Sequence, residues 1–159
     1  MQGKPRRPAA SPVQALSAMD QLIATAMVGQ QEIAAQVGLN VTDLTCFAYV
    51  IEAGENLLTA GDLAARVHVT TGAVTGILNR LERAGYVTRR PDPVDRRRVR
   101  VAARPDAEAR IREIYEPYYA RLMDLFADYS AEEIAVLTDW FTRASALAAG
   151  YLEEHRRAD

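Results

Sequence analysis

Between Leu57 and Val101 two short apolar stripes at helical spacing are followed by a run of arginines, and this order restricts the fold more than any other feature. Leu58, Leu63 and Val67 give the first segment one apolar face. Val74, Ile77, Leu78 and Leu81 fall at i, i+3, i+4 and i+7, the stripe of a second helix. Outside that stripe remain Thr71, Gly72, Ala73, Thr75, Gly76, Asn79 and Arg80, a small polar face without an acidic residue. A helix lying in a DNA major groove needs such a face, because its side chains must reach base edges without repelling phosphate.

The segment that follows supplies charge. From Arg83 to Arg104 eight arginines stand against Asp92 and Asp95, a local +6 on a chain whose formal total is −2. Charge segregated in this way suits a polyanionic partner. Alone, an arginine-rich loop is as readily a solvated surface. Behind two helices joined by a tight turn, double-stranded DNA is the stronger reading.

The run LTAGDLAARVHVTTGAVTGILNRLERAGYVTRR, followed by DPVDRRRVRV, resembles the winged helix-turn-helix of the MarR family of bacterial transcription regulators. Its most diagnostic part is Asp92-Pro93-Val94-Asp95-Arg96-Arg97, a D-P-x-D-R-R wing placed just after Leu81-Glu82-Arg83-Ala84-Gly85-Tyr86-Val87. The resemblance is strong over about residues 40–104 and consistent in helix order over the flanks. It implies a mainly α fold: a winged helix-turn-helix with a small β-hairpin wing, and N- and C-terminal helices forming a dimerisation module. By resemblance Asp95 and Arg97 form the structural pair of the wing, and Arg96 at its tip enters the minor groove. Tyr86–Arg90 and Arg97–Val101 are the expected wing strands. Thr70, Thr71, Ala73, Thr75, Asn79, Arg80, Arg89, Arg90 and Arg98 complete the DNA-facing set, the wing arginines positioning the protein on phosphates.

The recognition helix departs from many relatives. Positions often occupied by arginine or lysine are here Thr71 and Gly76, which weakens direct reading of guanine by arginine. Thr71, Thr75 and Asn79 can offer hydroxyl and amide contacts, and Ala73 can touch a thymine methyl. Gly76 lowers helix propensity by about 1 kcal/mol relative to alanine. Close backbone approach to DNA and close packing within the protein would each explain it.

Capping signals order the rest of the chain. Residues 1–11 are basic and proline-rich, and are expected to be a disordered tail. Ser11 and Pro12 open a long helix that Gly38 ends, with Val13, Leu16, Ile23 and Met27 along one face. Asn40 and Asp43 resemble a capping pair before a helix bearing Leu44, Phe47, Ala48 and Ile51. Thr59 with Asp62, and Ser130 with Glu133, are further capping boxes. Thr70 or Thr71 caps the recognition helix, and Gly85 follows it as a left-handed cap. Pro117 is expected to kink the helix that starts at Pro105. The expected organisation is a helical dimerisation region over 12–38 and 105–155 and a DNA-binding domain over 40–104.

Tyr49, Tyr115, Tyr118 and Tyr119 offer apolar walls with polar handles. By resemblance they line a pocket for a small aromatic effector; as aromatics at helical spacing they equally suit core or dimer interface. Cys46, the single cysteine, reads as a small buried space-filler and suits a reducing, cytoplasmic setting. No apolar run approaches the roughly 18 residues of a membrane span. His68 and His155 form no metal cluster, no cofactor is indicated, and no phosphate loop, nucleophile elbow or Cys–His pair suggests an enzyme. The expected function is that of a homodimeric, sequence-specific regulator, a repressor by preference, acting on a pseudo-palindromic operator and released by a ligand. The rival is a protein-interaction module that retains the fold without DNA binding.

Overall fold

The computed structural model describes residues 8–95 and 98–158. Six helices and three short strands follow one another as α1 (Pro12–Gln36), α2 (Val41–Ala53), β1 (Leu58–Thr59), α3 (Ala60–Val67), α4 (Thr71–Arg83), β2 (Val87–Pro91), β3 (Val99–Ala103), α5 (Pro105–Phe126) and α6 (Ala131–Ala158). They divide into two compact units, one running from Ala10 to Tyr115 and the other holding Glu116 onward. Both α1 and the first half of α5 therefore lie in the unit that contains the strands.

Local chemistry sets most boundaries of the first unit. Ser11 caps α1 by accepting from the Gln14 N–H, and the Gln14 side chain returns the bond to the Ser11 N–H. Asn40 caps α2 by accepting from the Asp43 N–H at 2.8 Å. Thr59 ends β1 and also caps α3, its hydroxyl oxygen accepting from the Asp62 N–H while the Asp62 carboxylate accepts from the Thr59 N–H. Thr70, not Thr71, caps α4. The turn between α3 and α4 places His68 at φ 56°, a left-handed conformation that non-glycine residues seldom adopt. Gly85 takes φ 79° after α4, as the sequence leads one to expect.

The core lies where α2, α3 and α4 meet the sheet. Phe47, Leu63, Leu78 and Leu81 are fully buried there, with Val74 and Ile77 completing the stripe of α4. In α2 the inward face differs from expectation: Ala48 is exposed, whereas Val50 is buried beside Leu44 and Phe47. Tyr86 stacks edge-on against Phe47 at 5.1 Å, and its hydroxyl donates to the Val37 carbonyl at 2.6 Å. That bond ties the end of α1 to the residue that links α4 to β2.

The sheet is antiparallel in the order β1-β3-β2, with Leu58 opposite Val101 and Arg89 also opposite Val101. The wing strands begin later than Tyr86 and Arg97, the expected starts, because pairing along β3 rather than local pattern fixes their register. The two-residue β1 has no periodicity from which to predict it.

In the second unit α6 is capped by Ser130, whose hydroxyl oxygen accepts from the Glu133 N–H while Glu133 accepts in return. α5 continues through Pro117. Among the described residues no single helix is long and apolar enough to cross a membrane.

Candidate nucleic-acid interface

With Val74, Ile77, Leu78 and Leu81 turned inward, α4 presents Thr71, Gly72, Ala73 and Thr75 to solvent. The Thr75 hydroxyl donates to the Thr71 carbonyl at 3.0 Å. Its proton is thus engaged in the helix, leaving lone pairs and a methyl group for a partner.

Two longer side chains of this helix are held by the protein itself. Arg80 donates from Nε and Nη2 to the two carboxylate oxygens of Asp43, at 2.9 and 2.6 Å. The Asp43 side chain is 4% exposed and that of Arg80 50%, so a buried anion anchors a half-exposed cation. The hydrogen bonds it donates to Asp43 raise the already high pKa of Arg80. Asn79 accepts at its Oδ1 from Arg89 of β2 at 2.7 Å, and Arg89 also pairs with Glu82 at 3.1 Å. Helix and wing strand are therefore cross-braced at Arg89.

Asp92, buried at the root of the wing, organises the loop that follows. Its Oδ1 accepts from the N–H groups of Val94 and Asp95, and its Oδ2 from Arg100 Nε. Arg100 Nη1 in turn donates to the Leu57 carbonyl just before β1. The loop closes with the Asp92 N–H on the Arg98 carbonyl and the Arg98 N–H on the Asp95 carbonyl, each at 2.9 Å. The backbone N–H of Asp95, then Arg100, then the N–H of Val94 hold the Asp92 carboxyl down at about 2, against an ordinary 3.8. Because the folded-state value is the lower, this stabilisation is complete above the ordinary value and is lost as pH falls from there toward about 2. Denaturation midpoints of wild type and Asp92→Asn should therefore differ at about pH 6 and converge at about pH 2. A gap that persists unchanged into acid would refute the role of the carboxylate charge.

Asp95, Arg90 and Arg98 are exposed. Arg96 and Arg97, expected at the wing tip and in its structural pair, lie outside the described residues. Asp43, Asp92 and Arg100 were absent from the expected site. Asp92 is visible in the D-P-x-D pattern, but Asp43 lies 37 residues from Arg80 and no local signal joins them.

The tyrosines separate by environment. Tyr49 and Tyr115 are partly buried against the core, and Arg66 sits 5.8 Å from the centre of the Tyr49 ring. Tyr118 and Tyr119 are exposed, their rings 5.9 Å apart. An open cavity of about 220 Å³ is lined by other residues, among them Gly85, Tyr86, Arg104 and Arg110. Cys46 is fully buried, and burial first, then the nearby Asp43 charge, push its thiol up to about 11. It is a protonated core residue. Among the described residues no cluster of three or more His, Cys, Asp or Glu side chains is placed to hold a metal.

A capped helix whose outer face is non-acidic from Thr71 to Arg80, braced against a basic two-stranded wing, defines a winged helix-turn-helix DNA-binding protein. The model of the MarR family matches residues 37–98. The chain is 36% identical over 123 residues to the "Uncharacterized HTH-type transcriptional regulator YcgE" of Bacillus subtilis (strain 168), covering 77% of this chain and 79% of that protein. It is 28% identical over 112 residues to the "HTH-type transcriptional repressor YetL" of the same organism, covering 68% and 67%. The chain belongs to the MarR family, and is a transcriptional regulator rather than an enzyme. Similar solved structures include an S. aureus MepR–DNA complex, at 19% identity and TM-score 0.59 over 84% of this chain and 97% of that one. NadR in complex with 4-hydroxyphenylacetate matches at 24% identity and TM-score 0.62, over 88% and 96%. These last two likenesses speak to the fold alone.

Proposed function

We propose that the protein works as a homodimeric repressor on a pseudo-palindromic operator, with α4 in the major groove and the wing over the adjacent minor groove. The observation that carries this reading is the braced pairing of α4 with a wing bearing exposed Arg90 and Arg98. The DNA-facing set is Thr70, Thr71, Ala73 and Thr75 on the helix with Asp95, Arg96, Arg97 and the exposed arginines on the wing. Asn79, Arg80 and Arg89 act as braces. Two recognition helices would enter successive major grooves roughly 34–36 Å apart.

The dimerisation region over 12–38 and 105–155 is supported by apolar residues left in solvent. Val13 and Met27 of α1 are 75% and 62% exposed, and Leu147 of α6 is 75% exposed. Unpartnered apolar faces of this extent mark association surfaces. Release by a small aromatic effector is supported by the exposed Tyr118 and Tyr119, apolar rings with polar handles. An effector acts by favouring a spacing of the two helices that no longer matches the half-sites.

Titration of the duplex upstream of the protein's own gene, at two salt concentrations, tests the reading. Affinity should fall steeply with salt, and the Arg90→Ala, Arg98→Ala double variant should flatten the log–log slope by about 0.9 for each phosphate contact removed. Salt-insensitive absence of binding to any duplex would favour a protein-interaction module instead.

A further inference from the structure

The inner stripe of α4 fixes which residues face a groove. At about 100° per residue, the line opposite Val74, Ile77, Leu78 and Leu81 runs through Gly72, Gly76, Asn79 and Arg83. Its first two turns carry no side chain at all. Thr71 and Thr75 flank it on one side, Ala73 and Arg80 on the other.

Packing does not call for either glycine. A Cβ on Gly76 would meet Arg80 Nη1 at 3.8 Å and one on Gly72 would meet Thr70 Oγ1 at 3.9 Å, both ordinary contacts. Neither residue has the left-handed backbone that would demand glycine. Two residues that weaken a helix thus occupy its most outward line with no internal reason. Of the two explanations the sequence leaves open for Gly76, close packing within the protein is removed.

The usual reader of guanine is a bidentate arginine. The arginine beside this line, Arg80, is fixed on Asp43, and swinging it to a base would strip a buried carboxylate of its partner. Asn79 needs both ends of its amide to read adenine, and its oxygen is engaged by Arg89. Over the first turns of the helix what remains is the Thr71 hydroxyl, Thr75 with its proton on the Thr71 carbonyl and its lone pairs open, and the methyl groups of Thr71, Ala73 and Thr75. Arg83, at the far end of the line, donates its Nε to the Asn79 carbonyl. In the major groove an A·T pair offers the matching features, the N6 amino donor of adenine and the C5 methyl of thymine.

Resting on the DNA-binding reading above, we propose that α4 selects A·T pairs by close approach. The Gly72–Gly76 line lets the helix backbone settle on the groove floor. Thr75 Oγ1 accepts from adenine N6, and the small methyl groups pack on thymine methyls. Gly72, Thr75 and Gly76 are the specificity-determining residues, and Arg80 and Asn79 position the helix.

Selection of duplexes from a random pool by the full-length protein tests this, followed by titration of the enriched duplex. A·T pairs should fill the positions under α4, and replacing thymine there by deoxyuridine should weaken binding about fourfold per methyl lost. Gly76→Ala should lower the ratio of enriched-site to random-duplex affinity by about tenfold, the equivalent of a displaced hydrogen bond. Its thermal unfolding temperature should not fall, which separates loss of approach from loss of fold. Enrichment of guanine under α4 with dependence on Arg80 would overturn the proposal, as would wild-type discrimination by Gly76→Ala or indifference to deoxyuridine. Absence of binding to random and selected duplexes alike would defeat the DNA-binding reading itself.

Discussion

Phe47→Ala should destabilise the protein by about 4 kcal/mol, as is usual when a fully buried aromatic ring is truncated. The ring is 0% exposed and forms the edge contact with Tyr86 at 5.1 Å. Its loss would open a cavity where α2 meets the residue joining α4 to β2. Since whole domains are stable by only about 5–15 kcal/mol, the variant would lose between about a quarter and four-fifths of its margin. Urea denaturation at one fixed protein concentration measures the change, the concentration being held because association contributes to apparent stability. Val94→Ala, at a side chain 94% exposed, is the control and should stay within about 0.5 kcal/mol. A loss below about 1 kcal/mol for Phe47→Ala would mean that the ring is not the keystone its burial indicates.

Arg100→Ala should lower operator affinity on the order of tenfold or more while leaving the helices folded, since one charge-assisted contact is worth about that factor. Arg100 joins the Asp92 turn to the Leu57 carbonyl, so its loss frees the wing root from both the loop and the first strand. Arg100→Lys should rescue little. A lysine restores the charge but has no planar fork to reach a carboxylate and a carbonyl in two directions. Circular dichroism confirms the helices, and titration of the selected duplex gives the affinity. Full rescue by lysine would reduce the role of Arg100 to charge alone.

What could be read in the sequence was local. The stripe of α4, the Thr59–Asp62 and Ser130–Glu133 boxes, and Gly85 all depend on residues within one or two turns, and the structure has them as expected. The family was legible for the same reason, in a short wing pattern at a fixed distance from a helix. Contacts across the chain were not legible. Leu58 pairs with Val101, and Asp43, readable only as a capping residue, turns its carboxylate to Arg80 instead. Asn79 and Arg89 looked like two independent contacts for DNA because nothing in their spacing shows that they meet. In α2, Val50 and Ala48 fit neighbouring faces of one helix, and only the position of the sheet and α4 decides which is covered. His68 adopts a glycine-like backbone that its side chain does not announce.

The hydroxyl of Tyr86 on the Val37 carbonyl leaves one hinge point fewer than the loops suggest. Tyr86 sits between the last turn of α4 and the first residue of β2, so a displacement of the end of α1 would be passed to recognition helix and wing together. The pair can be tilted without altering which atoms it shows to a base pair. In the homodimer proposed above, signals arriving through α1 would then tune the distance between half-sites that the protein accepts, whereas changes on the surface of α4 would tune the letters it prefers. Spacing and spelling would be free to diverge independently among relatives built on this frame.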